Sequence, residues 1–302
     1  MTYRELWQSL TSRYTEPEAK AVARYLLEVG YCLSMTDILS GGAERIPADE
    51  MEKNRRRLLN GEPVQYVIGK AEFGGRIFKV SPAVLVPRPE TYELCQWVER
   101  EEEESGKRKE ERGKRREISG KRREERDYSL LDIGTGSGCI AITLALDMPY
   151  AKVEAWDISE KALNIARKNA ESLNAQVHFR QVDALNEPTE DSSLFTLHSS
   201  LNIIISNPPY ICKQEATAME AHVLDHEPHQ ALFVPDDDPL LFYRAIAQYG
   251  KSALVAGGWL YFEINPLYHE VLEKMLDEMG YFGIEMRKDQ FGQWRFARAQ
   301  KL

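Results

Sequence analysis

From Tyr128 onward, short apolar runs alternate with segments of helical periodicity. The apolar runs predict buried strands at 130–133, 153–156, 177–182, 203–205 and 260–264. The helical segments between them lie at 139–146, 160–173, 240–256 and 267–279. Two further strands are predicted at 281–286 and 294–297. This alternation predicts an α/β fold, in which a doubly wound, mostly parallel sheet is covered by helices on both faces.

Residues 1–62 predict a separate, small helical domain. Their apolar residues recur at helical spacing: Leu6, Leu10, Ala19, Val22, Ala23, Leu26, Leu27, Met51, Leu58 and Leu59. Breaks near Pro17, the Gly41-Gly42 pair and Pro47 predict several short helices rather than one long helix.

Residues 63–92 predict a β-hairpin and a linker that follow this domain. The β-forming residues at 64–85 are interrupted by glycines, which is typical of a hairpin. The linker ends in VPRPET at 86–91, where two prolines keep the backbone extended. A helix is predicted next, at 90–99.

Residues 100–127 form a charged, low-complexity insertion. The segments SGKRKEER at 105–112 and SGKRREER at 119–126 nearly repeat each other. From 101 to 126 there are 11 Lys+Arg and 9 Asp+Glu, so this stretch carries a net charge of +2. Because the whole chain has a net charge of −9, the rest of the chain carries −11. Because the insertion has almost no apolar surface to offset the entropy cost of ordering, it predicts a solvated linker. A tail that binds nucleic acid or a protein partner is the alternative.

The acidic remainder of the 302-residue chain argues against general binding of DNA or RNA and suits a basic protein partner. No apolar run reaches the roughly 18 residues of a membrane span, and the N-terminus lacks the apolar stretch of a signal peptide. The four cysteines are scattered, which predicts reduced thiols, and the six histidines form no evident metal set. We therefore expect a cytoplasmic monomer with no metal, no membrane partner and no direct nucleic-acid contact.

A glycine-rich turn follows the first predicted strand of the α/β region. It comprises Gly134, Thr135, Gly136, Ser137 and Gly138. Such a turn lets a ligand approach the backbone beside a helix N-terminus. The second strand ends at Asp157, whose carboxylate can accept hydrogen bonds from both ribose hydroxyls of an adenosine. Asp183 closes the third strand, where an acidic side chain can bind the adenine amino group.

The glycine turn by itself does not choose between a dinucleotide and S-adenosylmethionine. The sequence GSGCIA, which begins at Gly136, also fits the relaxed dinucleotide pattern G-x-G-x-x-A. Asp132, just before the turn, favours S-adenosylmethionine, because a carboxylate there can meet a cationic ligand and would repel a diphosphate.

The sequence Asn207-Pro208-Pro209-Tyr210 follows the fourth predicted strand. In an open α/β sheet this position lies outside the carboxyl ends of the strands, beside the glycine turn. An amide nitrogen is a poor nucleophile, so a site that methylates it must align the nitrogen and accept hydrogen bonds from its NH2 group. The side-chain oxygen of Asn207 and the carbonyl oxygen of Pro208 are two such acceptors, and Tyr210 can cover the planar amide. The pattern predicts amide methylation; a rigid turn that only ends the strand is the alternative.

The sequences LDIGTGSGCIA, AWDIS, SNPPY and PRPET, with the acidic Asp183, together resemble the protein-glutamine N5-methyltransferases of the HemK/PrmC type, which modify class 1 peptide chain release factors. The resemblance covers nearly the whole chain except the insertion. It implies that residues 1–62 recognise the release factor and that residues 128–302 form an S-adenosylmethionine-dependent methyltransferase domain. The glutamine of the factor's GGQ loop would enter that domain.

The resemblance also implies a role for each motif. The residues implied to contact the cofactor are Arg88, Glu90, Thr91, Gly134, Thr135, Gly136, Ser137, Gly138, Asp157, Asp183, Ala184 and Asn207. The residues implied to bind the glutamine are Asn207, Pro208, Pro209 and Tyr210. Of these, the residues implied to be catalytic are Asn207, Pro208 and Tyr210. The chain departs from the family pattern in its insertion and at Tyr92, where the family often has an acidic residue.

The NPPY sequence alone is shared with amino methyltransferases of DNA and RNA, so a nucleic-acid methyltransferase of the N6-adenine type is the main alternative. It would need a basic face or a target-recognition domain, which the acidic chain does not suggest. A dinucleotide oxidoreductase would have no use for NPPY. A non-enzymatic S-adenosylmethionine-binding protein would not need an intact amide-binding tetrapeptide.

Overall fold

The structure, a computed structural model, describes residues 1–114, 128–186 and 201–302. The chain divides into two compact units. The first contains Met1–Pro87 and Gln214–Leu232, and the second contains Arg88–Lys213 and Phe233–Leu302. Part of the predicted insertion, 115–127, and part of the predicted methyltransferase domain, 187–200, lie outside the described residues.

The elements are numbered in chain order. The α-helices are α1 (Tyr3–Leu10), α2 (Glu16–Tyr25), α3 (Met35–Leu39), α4 (Ala48–Leu59), α5 (Val64–Ile68), α6 (Pro89–Lys114), α7 (Cys139–Asp147), α8 (Glu160–Leu173), α9 (Ala221–His226), α10 (Leu241–Ala253) and α11 (His269–Glu278). The strands are β1 (Lys70–Phe73), β2 (Arg76–Lys79), β3 (Tyr128–Ile133), β4 (Ala151–Asp157), β5 (Val177–Gln181), β6 (Leu201–Ser206), β7 (Ile211–Cys212), β8 (Phe233–Val234), β9 (Leu254–Glu263), β10 (Tyr281–Lys288) and β11 (Trp294–Lys301).

The first unit is a group of short helices, α1 to α5 and α9, with the hairpin of β1 and β2. Apolar positions predicted from helical spacing are buried in its core: Leu6, Leu10, Ala19, Ala23, Leu26, Leu27, Met51 and Leu58. Helix α1 begins with a capping box, in which Thr2 Oγ1 accepts from Glu5 N at 3.1 Å and Glu5 Oε2 accepts from Thr2 N at 2.8 Å. The backbone N–H of Val86 donates to Glu227 Oε2 at 3.2 Å, which joins the two chain segments of this unit.

The hairpin is shorter than predicted, because its first residues are helical. Val64–Ile68 form α5, and the antiparallel pairing extends only from Lys70 and Lys79 to Phe73 and Arg76. The residues on either side explain the difference. A proline precedes α5 and a glycine with φ +69° follows it, and both are typical of helix boundaries.

The second unit is built on a seven-stranded sheet in the order β10-β11-β9-β6-β3-β4-β5. Strands β9, β6, β3, β4 and β5 are parallel to one another. Strand β11 is antiparallel to β9, and β10 is antiparallel to β11, so β11 alone runs opposite to the other six strands of this sheet. Helices α6, α7, α8, α10 and α11 pack against this sheet. The predicted doubly wound, mostly parallel sheet is confirmed. Its strand order reverses between β3 and β6, which is where ligands bind in such sheets.

The predicted strands of this unit are present with small differences at their ends. The largest difference is in β9, which begins at Leu254, whereas a helix was expected to continue to residue 256. Leu254 pairs with Leu201, and the register then shifts so that Trp259 pairs with Ile203. Sheet pairing of Leu254 therefore ends α10 at Ala253.

Helix α6 also differs from the prediction, because it continues from residue 99 to Lys114. The first extra turn is held by Glu101, which forms ion pairs with Arg287 at 3.3 Å and with Arg298 at 2.8 Å. Residues 101–114 of the predicted insertion are therefore helical, and the charged insertion as a separate segment stays a prediction. Within the described ranges, no helix combines the length and the apolar character that a membrane span requires.

The centre of the sheet provides a test of the fold. Ile204 on β6 is fully buried, so Ile204→Ala is expected to lower the free energy of unfolding by about 2–5 kcal/mol through lost burial and an internal cavity. Val271→Ala, at an exposed position of α11, is the control and should change the free energy by less than about 0.5 kcal/mol. Urea denaturation followed by tryptophan fluorescence measures both. Equal effects of the two substitutions would contradict a central position for β6.

Candidate active site

The ends of β3 and β6 lie side by side at the point where the strand order reverses. Ile133 pairs with Ser206 in the sheet, and Ser206 Oγ donates to the carbonyl of Ile133 at 2.6 Å. The glycine turn follows Ile133 directly, and NPPY follows Ser206 directly. The two motifs predicted to act together are therefore neighbours.

Backbone N–H groups of the glycine turn are bonded within the protein. Those of Gly134 and Thr135 donate to the carbonyl of Trp156 at 2.8 and 2.9 Å. The N–H of Gly136 donates to Asp157 Oδ2 at 2.8 Å, and that of Gly138 donates to Thr135 O at 2.8 Å. A dinucleotide site uses such N–H groups to bind a diphosphate. Since these four are already engaged, the turn is poorly suited to that ligand.

The glycines of the turn serve two different purposes. Gly134 and Gly136 have φ values of +78° and +55°, and a Cβ at either position would meet no atom within 4 Å. Gly138 also has a positive φ, but a Cβ there would lie 2.8 Å from Ile142 Cδ1 and 3.1 Å from Ala166 Cβ. The first two glycines leave open space that a ligand can approach, whereas the third permits close packing of α7 against α8.

Asp132 lies in the interior next to this turn. Its Oδ2 accepts from Thr135 Oγ1 at 2.6 Å and from the N–H of Ala141 at 3.3 Å. Among the described residues no donor reaches its Oδ1. Burial raises the pKa of Asp132 to about 7, although the two hydrogen bonds act in the opposite direction.

The acidic residues predicted at the ends of β4 and β5 occupy neighbouring positions. Asp157 Oδ1 accepts from the N–H of Ser159 at 2.8 Å, and burial raises the pKa of Asp157. The N–H of Val182 donates to the carbonyl of Asp157 at 3.1 Å, which holds the two strand ends together. Asp183 Oδ1 accepts from the N–H of Leu185 at 2.9 Å in a local turn that also contains Ala184.

A chain of hydrogen bonds connects NPPY to a buried carboxylate. Asn207 Nδ2 donates to Thr91 Oγ1 at 3.2 Å, and Thr91 Oγ1 donates to Glu263 Oε2 at 2.6 Å. Tyr210 Oη donates to the other carboxylate oxygen, Oε1, at 3.0 Å. Asn265 Nδ2 donates to the carbonyl of Tyr210 at 3.0 Å. The positions of both the side chain and the backbone of NPPY are therefore supported from the end of β9.

Glu263 and Asn265 were not predicted as site residues, although the sequence carries a signal that Glu263 is unusual. Glu263 is an acidic residue inside the apolar run predicted as a strand, and it is only 2% exposed. Burial raises the pKa of Glu263, while Thr91, Tyr210 and the charge of Arg295 act to lower it. A buried carboxylate at the end of a parallel strand is characteristic of a functional site.

The residues of the PRPET sequence lie at the start of α6. The N–H of Thr91 donates to the carbonyl of Arg88 at 3.1 Å, and Thr91 is buried. Arg88 and Glu90 are half-buried. In the described parts of the chain, no group of three or more His, Cys, Asp or Glu is placed to hold a metal ion.

Comparison with known proteins identifies the family. Over nearly its full length, the chain is 43% identical to the release factor glutamine methyltransferase of Bacteroides thetaiotaomicron, with 97% of each chain covered. The chain belongs to the release factor glutamine methyltransferase family. A second relative of the same name, from Flavobacterium psychrophilum, is 35% identical over 96% of this chain and 95% of its own.

Two further comparisons concern the fold of this release factor glutamine methyltransferase family member. The family model named Methyltransferase small domain matches residues 121–233. The solved hMettl16 catalytic domain in complex with the MAT2A 3'UTR hairpin 6 has a TM-score of 0.53 at 16% identity, with 84% of this chain and 82% of that chain covered. At this identity the likeness shows the fold alone, which is the Rossmann-like fold of class I methyltransferases.

The buried Asp132 predicts a pH dependence of stability. Because its pKa rises from 3.8 to about 7 on folding, the folded protein binds this proton more tightly than the unfolded chain does. The contribution of Asp132 to the free energy of unfolding therefore falls as the pH rises from about 4 to about 7, and is constant at higher pH. Asp132→Asn removes this titration, so the variant should lose less stability across that range. Urea denaturation at a series of pH values tests this, and parallel curves for both proteins would contradict it.

Proposed function

We propose that the protein transfers a methyl group from S-adenosylmethionine to the side-chain amide nitrogen, N5, of the glutamine in the GGQ loop of a peptide chain release factor. The names of two relatives that match nearly the whole chain support this substrate. The observation that carries the proposal is the orientation of Asn207. Its Nδ2 donates to Thr91, so its Oδ1 is left to accept a hydrogen bond from a substrate NH2 group.

The residues around the glycine turn fit S-adenosylmethionine better than a dinucleotide. Gly134 and Gly136 leave open space, and Asp157 can accept from ribose hydroxyls through lone pairs that its backbone donors do not use. Asp183 and Ala184 at the next strand end would lie beside the adenine. In its ionised form, the carboxylate of Asp132 would oppose a diphosphate but not a cation. When bound, S-adenosylmethionine supplies an electrophilic methyl group on a sulfonium.

The chain's own residues prepare the substrate nitrogen. Asn207 Oδ1 and the carbonyl oxygen of Pro208 accept the two hydrogens of the glutamine NH2 group. Two acceptors favour a pyramidal nitrogen, whose lone pair is then less delocalised into the carbonyl. Tyr210 covers the plane of the amide, with its hydroxyl held by Glu263. A strong base is unnecessary before transfer, because the methylated nitrogen loses its proton easily.

Residues 1–62, the N-terminal helical part of the first unit, are the proposed recognition domain for the release factor. The acidic charge of the chain outside the insertion suits a basic partner. A cytoplasmic location is part of the proposal, since the relatives that match nearly the whole chain are bacterial proteins named for a translation factor. A nucleic-acid amino methyltransferase is not favoured, since the relatives that match nearly the whole chain carry the name of a protein methyltransferase.

Asp157 provides a test of cofactor binding. Asp157→Ala is expected to weaken binding of the demethylated cofactor product by about 1.5–3 kcal/mol, the range for a charge-assisted hydrogen bond. Glu171→Ala, at an exposed position of α8, removes the same charge away from the site and should leave the affinity unchanged. Titration calorimetry measures both. A wild-type protein that binds neither the cofactor nor its product would refute the assignment.

Asn207 provides a test of catalysis. Asn207→Ala is expected to slow methyl transfer by about 10²–10³, because it removes one positioned acceptor from the transition state. The affinity for the cofactor product should remain within a few-fold of wild type. Asn207→Asp keeps an oxygen at this position and should retain more activity than alanine. Single-turnover transfer of labelled methyl to a release factor measures the rate. Near wild-type transfer by Asn207→Ala would mean that Asn207 only ends the strand.

A further inference from the structure

We propose that Glu263 and Thr91 set the orientation of the Asn207 amide, and that this orientation makes the site select a glutamine amide and reject a glutamate carboxylate. The inference rests on the proposed function, because it concerns the same substrate pocket. It adds two positioning residues that act through Asn207 and assigns them a role in specificity.

The count of hydrogens at Thr91 decides the direction of the hydrogen bonds. A threonine hydroxyl has a single hydrogen, and Thr91 donates it to Glu263 Oε2 at 2.6 Å. An ionised carboxylate can only accept, so this bond cannot reverse while Glu263 is charged. Thr91 Oγ1 can then only accept from Asn207, and the partner at 3.2 Å must be Nδ2 rather than Oδ1.

The second oxygen of Glu263 is also supplied with a donor. Tyr210 Oη donates to Oε1 at 3.0 Å, and the positive charge of Arg295 acts to lower the pKa of the carboxyl against the effect of burial. The carboxylate therefore has a hydroxyl donor on each oxygen. These two bonds oppose the effect of burial, which on balance raises the pKa of Glu263, and the orientation of Asn207 follows for the ionised carboxylate.

With Asn207 in this orientation, the NPPY segment presents hydrogen-bond acceptors to the proposed substrate. Asn207 Oδ1 is turned away from Thr91, and no donor within the described residues bonds to it. The next two residues, Pro208 and Pro209, have no N–H group to donate. A glutamine NH2 group can donate to this set of oxygens. A glutamate carboxylate would place its own oxygens against them and gain no hydrogen bond.

The proposal is tested with a release factor that carries its GGQ loop and with the same factor carrying glutamate in place of that glutamine. The affinity of each for the protein saturated with the demethylated cofactor product is measured by calorimetry. Wild-type protein is expected to bind the glutamine form at least about 10-fold more tightly, because the glutamate form leaves buried acceptors unpaired.

Two substitutions at Thr91 separate orientation from packing. Thr91→Val keeps the shape of the side chain but removes its hydroxyl. The side-chain amide of Asn207 can then rotate and exchange the positions of its oxygen and its nitrogen. We expect the ratio of the affinities for the glutamine and glutamate forms to fall to within about 3-fold of unity. Single-turnover transfer should slow by about 10–100-fold, because Asn207 Oδ1 then faces the substrate in only part of the molecules. Thr91→Ser keeps the hydroxyl and should retain both the preference and the rate within about 3-fold.

The possible outcomes are distinct. Thr91→Val with unchanged preference and rate overturns the proposal, as does equal binding of the glutamine and glutamate forms by wild-type protein. The second result requires no variant, so it decides the question even if Thr91→Val does not fold. Wild-type protein that binds the cofactor product but methylates no release factor would refute the proposed function instead. Unchanged cofactor-product affinity in Thr91→Val would show that its effect is confined to the substrate side.

Discussion

The parallel pairing of β3 with β6 at the centre of the sheet determines where the functional residues meet. Each strand ends in a different motif, and the bond from Ser206 Oγ to the carbonyl of Ile133 holds the two ends in register. In the proposed function both motifs are needed, because the glycine turn would leave space for the cofactor and NPPY would supply the acceptors for the substrate amide. Since parallel strands need long crossovers, residues that are neighbours here are about 70 positions apart in the chain.

A charged group in the interior is the second constraint on this site. Burying a carboxylate costs several kcal/mol unless its oxygens are bonded, and Glu263 meets this condition with hydroxyls from α6 and from the loop after β6. Tyr243 on α10 donates to the backbone carbonyl of Glu263 at 3.2 Å. One buried residue at the end of β9 therefore bonds to three other parts of the second unit. Any shift of these parts would break a bond in a place that water does not reach.

Much of this arrangement could be predicted from sequence because its signals are local. Apolar runs of strand length, the glycine turn after β3 and the proline-rich turn after β6 are all contained in a few consecutive residues. The role of Glu263 could not be predicted in this way, because it depends on β9 lying beside β6. The extension of α6 was missed for the same reason, since the partners of Glu101 are Arg287 and Arg298, far along the chain. For α5 the boundary signals were present, but the β-forming composition between them suggested a strand.

The division of the first unit into two chain segments has a consequence for how the protein is made. Val86 near the end of the first segment bonds to Glu227, which the ribosome adds about 140 residues later. Four strands of the large sheet, β3 to β6, are synthesised in between. The N-terminal helices thus emerge early but reach their complete set of partners only after much of the second unit exists. A fragment that stops at Pro87 would resemble the chain at an intermediate stage of translation rather than an independent domain.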